Sequence, residues 1–333
     1  MGSVYGAPDL PALVDFVNAQ HGTTYRVTDR YLGGERGAAG LTDARGDRFV
    51  FKWVPSATDL GRLPAIVKTV DRLRGKWYPA PRYVARGLHP DGCYSVQSML
   101  PGAPIRRFTP VMVEQILALN DLQRGLAPPP EPPPARPSAS TAPSPATSPA
   151  EPLPSSPSAV SLPEPWPASV ASDVLHGGPG YCLLDPMRQH SPQTARLLEI
   201  VQELAAEHQH ASTPTTDVVH CDFQHSNILG LSGKISGIVD WDGTRSGDRA
   251  FDLVTLLFYA HDDEAVRETL WQRILTLTAP AASVVYLAHL IHRQVDWSLR
   301  RHPSATTDQW LERARAILGD LPARTGCPVP AWP

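Results

Sequence analysis

The chain has 333 residues, 42% of them hydrophobic, and a formal net charge of −3 at pH 7. A chain of this length can bury a sizeable core and form two lobes or domains. The nearly neutral charge gives no general reason to expect binding to nucleic acid or to an anionic membrane.

The compartment is indicated by what the sequence lacks. No apolar run approaches the roughly 20 residues of a membrane span, and the first residues lack the basic and apolar regions of a signal peptide. The four cysteines are scattered without a Cys-x-x-Cys pair. This pattern is typical of a reducing compartment and not of a disulfide framework or a structural zinc site. We therefore expect a cytoplasmic protein, and no segment indicates an obligate protein partner.

Hydrophobic periodicity and turn residues predict strands in the first part of the chain and mostly helices in the rest. The first part contains a helix over 9–22, strands over 25–32, 38–43 and 48–54, a helix over 59–74, and strands over 79–87 and 92–102. The second part contains helices over 109–126, 191–210, 271–277, 283–300 and 307–318.

Residues 127–168 interrupt this pattern, because they contain 16 of the chain's 36 prolines and little apolar surface. Proline at this density supplies no hydrogen-bond donor and is excluded from helix interiors. The composition predicts a disordered or polyproline-like insertion within the helical part. Its Pro-x-x-Pro spacings also occur in ligands of SH3-type domains, although so many prolines produce them by chance.

Replacing residues 130–165 with a short glycine–serine linker should therefore leave folding nearly unchanged. The segment offers no core, and the entropy of closing a loop grows slowly with its length. The measurement is the thermal unfolding midpoint of both proteins. A midpoint lowered by more than a few degrees would show that the segment packs against the rest.

The most informative stretch is 216–243. A short β-branched run ends at Val219 and is followed by a polar loop in which Asn227 lies five residues after Asp222. Two further apolar runs, separated by a glycine-containing turn, end at Asp240. This pattern predicts a loop and a β-hairpin that bring the three polar side chains to one end. Their hard oxygen atoms suit Mg²⁺ that keeps phosphate and water ligands, although an ordinary polar loop also fits the pattern.

The same residues resemble a known family. The pattern His220-x-Asp222-x4-Asn227, followed by Ile-Val-Asp240-Trp-Asp, is similar to the catalytic loop and metal-binding segment of the aminoglycoside phosphotransferase family. These kinase-like enzymes are related to protein kinases and choline kinases. The resemblance implies that Asp222 orients and deprotonates an acceptor hydroxyl. It also implies that Asn227 and Asp240 hold Mg²⁺ on the phosphates of a nucleotide.

Two further positions concern the support of this loop. The family has a glycine where this chain has Cys221. The sequence therefore does not predict the backbone conformation of the loop. The later Gly-Asp-x3-Asp252-Leu segment is also similar to the family's. It implies that Asp252 accepts backbone N–H bonds from the loop that His220 begins. A carboxylate that merely favours a helix N-terminus is a compatible alternative.

The N-terminal strands carry the features that the resemblance assigns to the nucleotide. A glycine-rich hairpin would let backbone amides approach phosphates, and the strand lysine Lys52 would bind the α- and β-phosphates. The segment before the second part resembles the hinge that binds adenine through its backbone. Without the resemblance these are an ordinary turn, a solvent-facing lysine and sheet residues. The predicted nucleotide residues are Lys52, Gly33, Gly34, Gly37, Gln97, Ser98, Met99 and Leu100.

One departure concerns the partner of Lys52. Kinases pair the strand lysine with a glutamate on the following helix, in a position that corresponds to about Ile66. This chain has no glutamate between Glu35 and Glu114. The acidic partner of Lys52 therefore stays open.

The segments that resemble the family follow one another in the family's order. Together they imply a two-lobed, protein-kinase-like α+β fold. A small antiparallel sheet occupies the nucleotide-binding lobe, residues 1–100. A mainly helical lobe occupies residues 101–333 and contains the proline-rich insertion. The implied activity is ATP-dependent or GTP-dependent phosphorylation of a hydroxyl on a small molecule, with Mg²⁺.

The acceptor is less constrained. An aminoglycoside-type antibiotic is a polycation and would need acidic groups near Asp222. The candidates are Asp242, Asp262, Asp263 and Glu264, although a solvated acidic helix end explains the last three equally well. Choline-like alcohols, amino alcohols, sugars and macrolides stay open as acceptors. A catalytically inactive nucleotide-binding regulator is the alternative outside the enzymes.

Overall fold

The computed structural model describes residues 9–31, 38–54, 62–127 and 165–332. The predicted phosphate-contacting residues Gly33, Gly34 and Gly37 lie outside these ranges, as does most of the proline-rich insertion.

The N-terminal lobe contains a five-stranded antiparallel sheet. Its strands are β1 Arg26–Tyr31, β2 Ala38–Thr42, β3 Arg48–Val54, β4 Tyr83–His89 and β5 Gly92–Ser98. They are arranged in the order β1-β2-β3-β5-β4. Two helices accompany the sheet: α1 Leu10–His21 and α2 Leu63–Arg74.

The alternation of β3 determines the position of Lys52. Phe49, Phe51 and Trp53 are buried in one cluster with α1. Because side chains alternate along a strand, Lys52 points to the opposite face, on which α2 lies. The strand therefore presents an amine to the interior between the sheet and the second lobe.

The second lobe is mainly helical. Its helices are α3 Pro110–Leu122, α4 Trp166–His176, α5 Leu184–His190, α6 Pro192–His208, α7 Ala250–Tyr259, α8 Glu264–Leu277, α9 Pro280–Arg301 and α10 Ser304–Thr325. Helix α9 is the central one, because it packs against α4, α5, α6, α7 and α10. No helix in the described ranges is long and apolar enough to span a bilayer.

Short strands hold the polar loop of the second lobe. Strand β7 Asp217–Val219 pairs with β10 Arg245–Gly247. The predicted hairpin consists of β8 Ile228–Leu231 and β9 Lys234–Ile238, and β6 Ala103–Pro104 extends it. The loop between β7 and β8 contains Asp222 and Asn227, and β9 leads to Asp240.

The predicted insertion is shorter at its C-terminal end than the composition indicates. Helix α4 begins at Trp166, and Trp166, Pro167 and Ala168 are all buried. Proline is tolerated in the first turn of a helix, where its missing N–H has no intrahelical partner to lose. The prolines at the end of the segment therefore do not exclude a helix.

Candidate active site

A buried carboxylate fixes the loop that follows β7. Asp252, in the first turn of α7, is fully buried. It accepts hydrogen bonds from the backbone amides of His220 at 2.8 Å and Cys221 at 3.0 Å, and from the Gln123 side chain at 2.7 Å. Burial raises the pKa of the Asp252 carboxyl, although these donors favour its charged form. The geometry is the one expected of a carboxylate that shapes the loop.

The His220 ring joins this loop to the segment that carries Asp240. Its Nε2 lies 2.8 Å from the carbonyl oxygen of Val239, and its Nδ1 lies 3.3 Å from the backbone nitrogen of Asp222. A carbonyl can only accept and an amide can only donate, so Nε2 carries the proton and Nδ1 accepts. The buried ring also packs edge-on against Trp241.

Cys221 has a backbone conformation that favours glycine. Its φ is +68°, in the left-handed region, which costs a residue with a side chain about 1–2 kcal/mol. The cysteine thus has a backbone conformation that would suit the glycine found at this position in the family that the sequence resembles. Burial raises the pKa of the Cys221 thiol to about 12, so the thiol stays protonated at neutral pH.

Cys221→Gly should be more stable than Cys221→Ala by about 1 kcal/mol, because only glycine relieves the strained φ. At Cys93, a buried residue of β5, the order should reverse, since glycine weakens a strand interior. The free energy of unfolding of the four variants, from urea titrations, makes the comparison. An alanine variant at 221 as stable as the glycine variant would show that the strain is absent.

The carboxylate of Asp222 is held on both oxygens. Oδ1 accepts from Arg293 Nη2 at 2.6 Å, Oδ2 accepts from Asn227 Nδ2 at 2.8 Å, and Gln224 Nε2 lies within 3.2 Å of both. Arg293 also donates to the backbone carbonyl of Cys221 at 2.9 Å. These contacts fix the orientation of a carboxylate that is only partly buried.

Arg293 is a site residue that the sequence did not reveal. It lies in the middle of α9, a helix that the periodicity predicts as part of the helical core. Burial acts to lower its pKa, but Asp222, Tyr259 and Cys182 together outweigh this effect and the pKa is raised. Nothing in the local pattern distinguishes Arg293 from other arginines, because its partner is 71 residues away.

Asn227 and Asp240 are brought together by the start of the hairpin. The backbone nitrogen of Val239 donates to the carbonyl of Asn227 at 2.9 Å. The amide nitrogen of the Asn227 side chain is used within the loop, so its oxygen is the atom suited to a cation. Asp240 has a φ of +68°, in the left-handed region, which aspartate tolerates better than most residues.

This donor set fits Mg²⁺, which prefers one or two carboxylates together with phosphate and water ligands. Within the described residues, no group of three or more His, Cys, Asp and Glu side chains is arranged to hold a metal ion. A cation at Asn227 and Asp240 would need further ligands, such as the phosphate and water oxygens that Mg²⁺ commonly keeps.

Lys52 has its partners on the segment after β9. Its Nζ lies 2.7 Å from Asp240 Oδ1 and 3.1 Å from Asp242 Oδ2. Burial acts to lower the pKa of Lys52, but the two carboxylates outweigh burial and the pKa is raised. The acidic partners that the sequence leaves open for Lys52 are thus Asp240, just before the 3₁₀ turn Trp241–Gly243, and Asp242 within it, and neither lies on α2.

The predicted hinge, with Gln97, Ser98, Met99 and Leu100, spans the end of β5 and the residues after it. The backbone amides of Ser98 and Met99 donate to the carbonyls of Arg82 and Arg48. These two donors are therefore already used within the lobe. The Leu100 side chain lies against Gly237 of β9, where an added Cβ would approach Leu100 Cδ1 to 2.8 Å.

The other predicted acids lie at the junction of α7 and α8. Asp262 forms an ion pair with Arg313, Asp263 accepts from the backbone of Val266 at 3.2 Å as the N-cap of α8, and Glu264 is exposed. No hydrogen bond joins these described side chains to the loop of Asp222.

The sequence profile of one family, described as "Phosphotransferase enzyme family", matches residues 18–283. This range covers well over half of the chain. The chain belongs to this family. No curated protein matches the sequence significantly.

Solved structures of aminoglycoside phosphotransferases share the fold. The structure of APH(4)-Ia has a TM-score of 0.61 and 14% identity, over 96% of this chain and 99% of that chain. The enzyme from Alicyclobacillus acidocaldarius has a TM-score of 0.55 and 14% identity, over 98% and 97%. APH(3'')-Id from Streptomyces rimosus, with ADP and streptomycin, has a TM-score of 0.50 and 19% identity, over 86% and 98%.

The family determines the class of reaction. The protein is a small-molecule phosphotransferase whose acceptor is a hydroxyl group. The predicted two-lobed, kinase-like α+β fold is confirmed by the antiparallel N-terminal sheet, the helical second lobe and the shared fold of the phosphotransferase structures.

Proposed function

We propose that this phosphotransferase uses Mg²⁺-ATP and transfers the γ-phosphoryl group to a hydroxyl that Asp222 deprotonates. The observation that carries the proposal is the convergence of Lys52 from β3 with Asp240, adjacent to the loop of Asp222 and Asn227. A cation for phosphates, two oxygen ligands for a metal and a fixed carboxylate are the parts that phosphoryl transfer requires.

The nucleotide end of the site is formed by Lys52, Asn227 and Asp240. Asn227 and Asp240 would hold Mg²⁺, which neutralises phosphate charge when it is bound. Lys52 would shift from its carboxylate partners toward the α- and β-phosphates.

The acceptor end of the site is formed by Asp222. Its carboxylate accepts a hydrogen bond from the acceptor hydroxyl. It receives the proton as the new oxygen–phosphorus bond forms and the bond from the γ-phosphorus to the bridging oxygen breaks, which releases ADP. Arg293, Gln224 and Asn227 restrict the rotation of this carboxylate, so one geometry is presented to the hydroxyl. A carboxylate that is already held in one geometry lowers the entropic cost of reaching the transition state.

ATP is the first donor to test. Structures of the similar APH(4)-Ia contain ADP or AMP-PNP, and that of the Streptomyces rimosus enzyme contains ADP. GTP is the alternative donor, because the backbone of a hinge and not a diagnostic side chain would read the base.

Aminoglycosides are the first acceptor class. The similar structures contain hygromycin B or streptomycin. The neighbours of the acids favour a second class: Asp242 pairs with Lys52, Asp262 pairs with Arg313, and Asp222 itself pairs with Arg293. A polycation would find these carboxylates already neutralised. Less cationic hydroxyl compounds, such as sugars, macrolides or amino alcohols, are therefore the second candidates.

The test is a panel of acceptors incubated with Mg²⁺-ATP or Mg²⁺-GTP, with mass spectrometry of the products. The panel contains hygromycin B, streptomycin, a choline-like alcohol, an amino alcohol, a sugar and a macrolide. Phosphorylation of an aminoglycoside alone supports the first class, and phosphorylation only of the others supports the second. Tight Mg²⁺-ATP binding with no product from any acceptor would favour a catalytically inactive regulator.

A further inference from the structure

We infer that Asp242 is the residue that positions Lys52, in place of a glutamate on α2, which this chain does not have. The inference rests on the proposed function, because it assigns Lys52 to the nucleotide. This role differs from the substrate binding that the sequence predicts for Asp242 from its negative charge alone.

The two partners of Lys52 differ in their environment. The side chain of Lys52 is 18% exposed, that of Asp240 is 48% exposed, and that of Asp242 is 24% exposed. Asp240 therefore faces the open side of the site, where a metal would bind. Asp242 lies on the more enclosed side, where it lines a cavity together with Lys52.

Helix α2 supplies no acid to this enclosed side. Leu63 and Ile66 of α2 line a cavity of about 40 Å³ together with Lys52 and Asp242. The apolar Ile66 stands where a glutamate on this helix would face the lysine. Arg62, at the start of α2, instead makes a polar link to the second lobe, because it donates to the carbonyl of Thr244 at 3.3 Å. The segment 240–244 thus holds both Lys52 and α2.

With two carboxylates, Lys52 and a metal ion can each have a negatively charged partner at the same time. When Asp240 engages a metal, Asp242 still holds Lys52 beside the phosphates. Without Asp242, the lysine and the metal would compete for the single carboxylate of Asp240. Replacing Asp242 should therefore weaken the contribution of Mg²⁺ to nucleotide binding while the fold stays intact.

The first experiment tests the pairing without any nucleotide. The chain has four lysines: Lys52, Lys68, Lys76 and Lys234. The last three are exposed and serve as internal standards for trace acetylation with acetic anhydride, read by mass spectrometry. Relative to them, Lys52 should react severalfold faster in Asp242→Asn than in wild type. The rate should stay low in Asp242→Glu and in the control Asp71→Asn, an exposed acid of α2.

The second experiment tests the positioning role through a second-site rescue. The dissociation constant of ADP is measured by calorimetry with Mg²⁺ and with EDTA. The value in EDTA divided by the value in Mg²⁺ gives the contribution of the metal to binding. This ratio should fall about tenfold in Asp242→Asn, as for residues that orient a metal site. Adding Ile66→Glu should restore most of it, because the new carboxylate faces Lys52 across the cavity. The matched Ile66→Gln, of the same size without charge, should restore nothing.

The outcomes separate the inference from the proposed function. Unchanged Lys52 reactivity in Asp242→Asn, or an equal ratio with Glu and Gln at position 66, would overturn the inference. In the second case Asp242 would be a metal ligand. If the double variants unfold early in a thermal melt, Asp242→Glu replaces them, and it should retain the wild-type ratio. No ADP binding by wild type would instead remove the proposed function, while the acetylation rates would still decide the pairing.

Discussion

Asp222→Asn should lower turnover by about 10² to 10⁴, the usual contribution of a positioned general base. The amide keeps the size of the side chain and one acceptor, but it cannot take up the proton of the acceptor hydroxyl. Nucleotide affinity should stay within a few-fold, because no part of the proposed role of Asp222 is to hold phosphates. The loss therefore belongs to the transition state and not to ground-state binding.

The measurement pairs kcat for an accepted acceptor with a nucleotide titration of the same variant. Asp185→Asn is the matched control, since Asp185 is an exposed acid of α5 in the same lobe. Arg293 loses its charged partner in Asp222→Asn, so a melting curve must accompany the kinetics. Loss of both turnover and nucleotide affinity would indicate a structural or metal-holding role, and unchanged turnover would remove Asp222 from the chemistry.

Asp240→Ala should abolish the Mg²⁺-dependent part of nucleotide binding. The variant removes the carboxylate expected to link the metal to the phosphates. Asn227→Ala should weaken this part less, because it removes a neutral ligand. Lys52 keeps Asp242 in the Asp240 variant, so the binding of metal-free nucleotide should not become weaker.

Calorimetric titrations of ATP with Mg²⁺ and with EDTA distinguish these contributions. The expected result is a large Mg²⁺ effect in wild type, a smaller one in Asn227→Ala and none in Asp240→Ala. Unchanged Mg²⁺-ATP affinity in Asp240→Ala would show that the metal binds elsewhere.

Local signals were sufficient for much of the fold. Asp9 and Gly22 mark the ends of α1, where Asp9 accepts from Ala12 and Gly22 has a φ of +62°. The alternation of 48–54 gives β3 with its predicted bounds. In 216–243 the apolar runs and their turn predict the hairpin, because the register of a short hairpin depends on neighbouring residues.

The parts that sequence reasoning missed depend on distant contacts. Asp242 and Lys52 are 190 residues apart, and Arg293 reaches Asp222 from a helix whose pattern indicates only core. Helix α4 begins within the proline-rich segment. Burial of Trp166 stabilises its first turn, and that turn tolerates a proline. Such pairings follow from the packing of the lobes, and no local periodicity encodes them.

The central claim is that the site transfers a phosphoryl group to an acceptor hydroxyl. The most direct measurement uses ATP labelled at the γ-phosphate, with Mg²⁺ and the acceptor panel, and follows the label by chromatography and mass spectrometry. We expect the label to appear on a hydroxyl of at least one acceptor with wild type, and on none with Asp222→Asn. Label that stays in ATP, or appears only in inorganic phosphate with every acceptor, would contradict the proposed transfer.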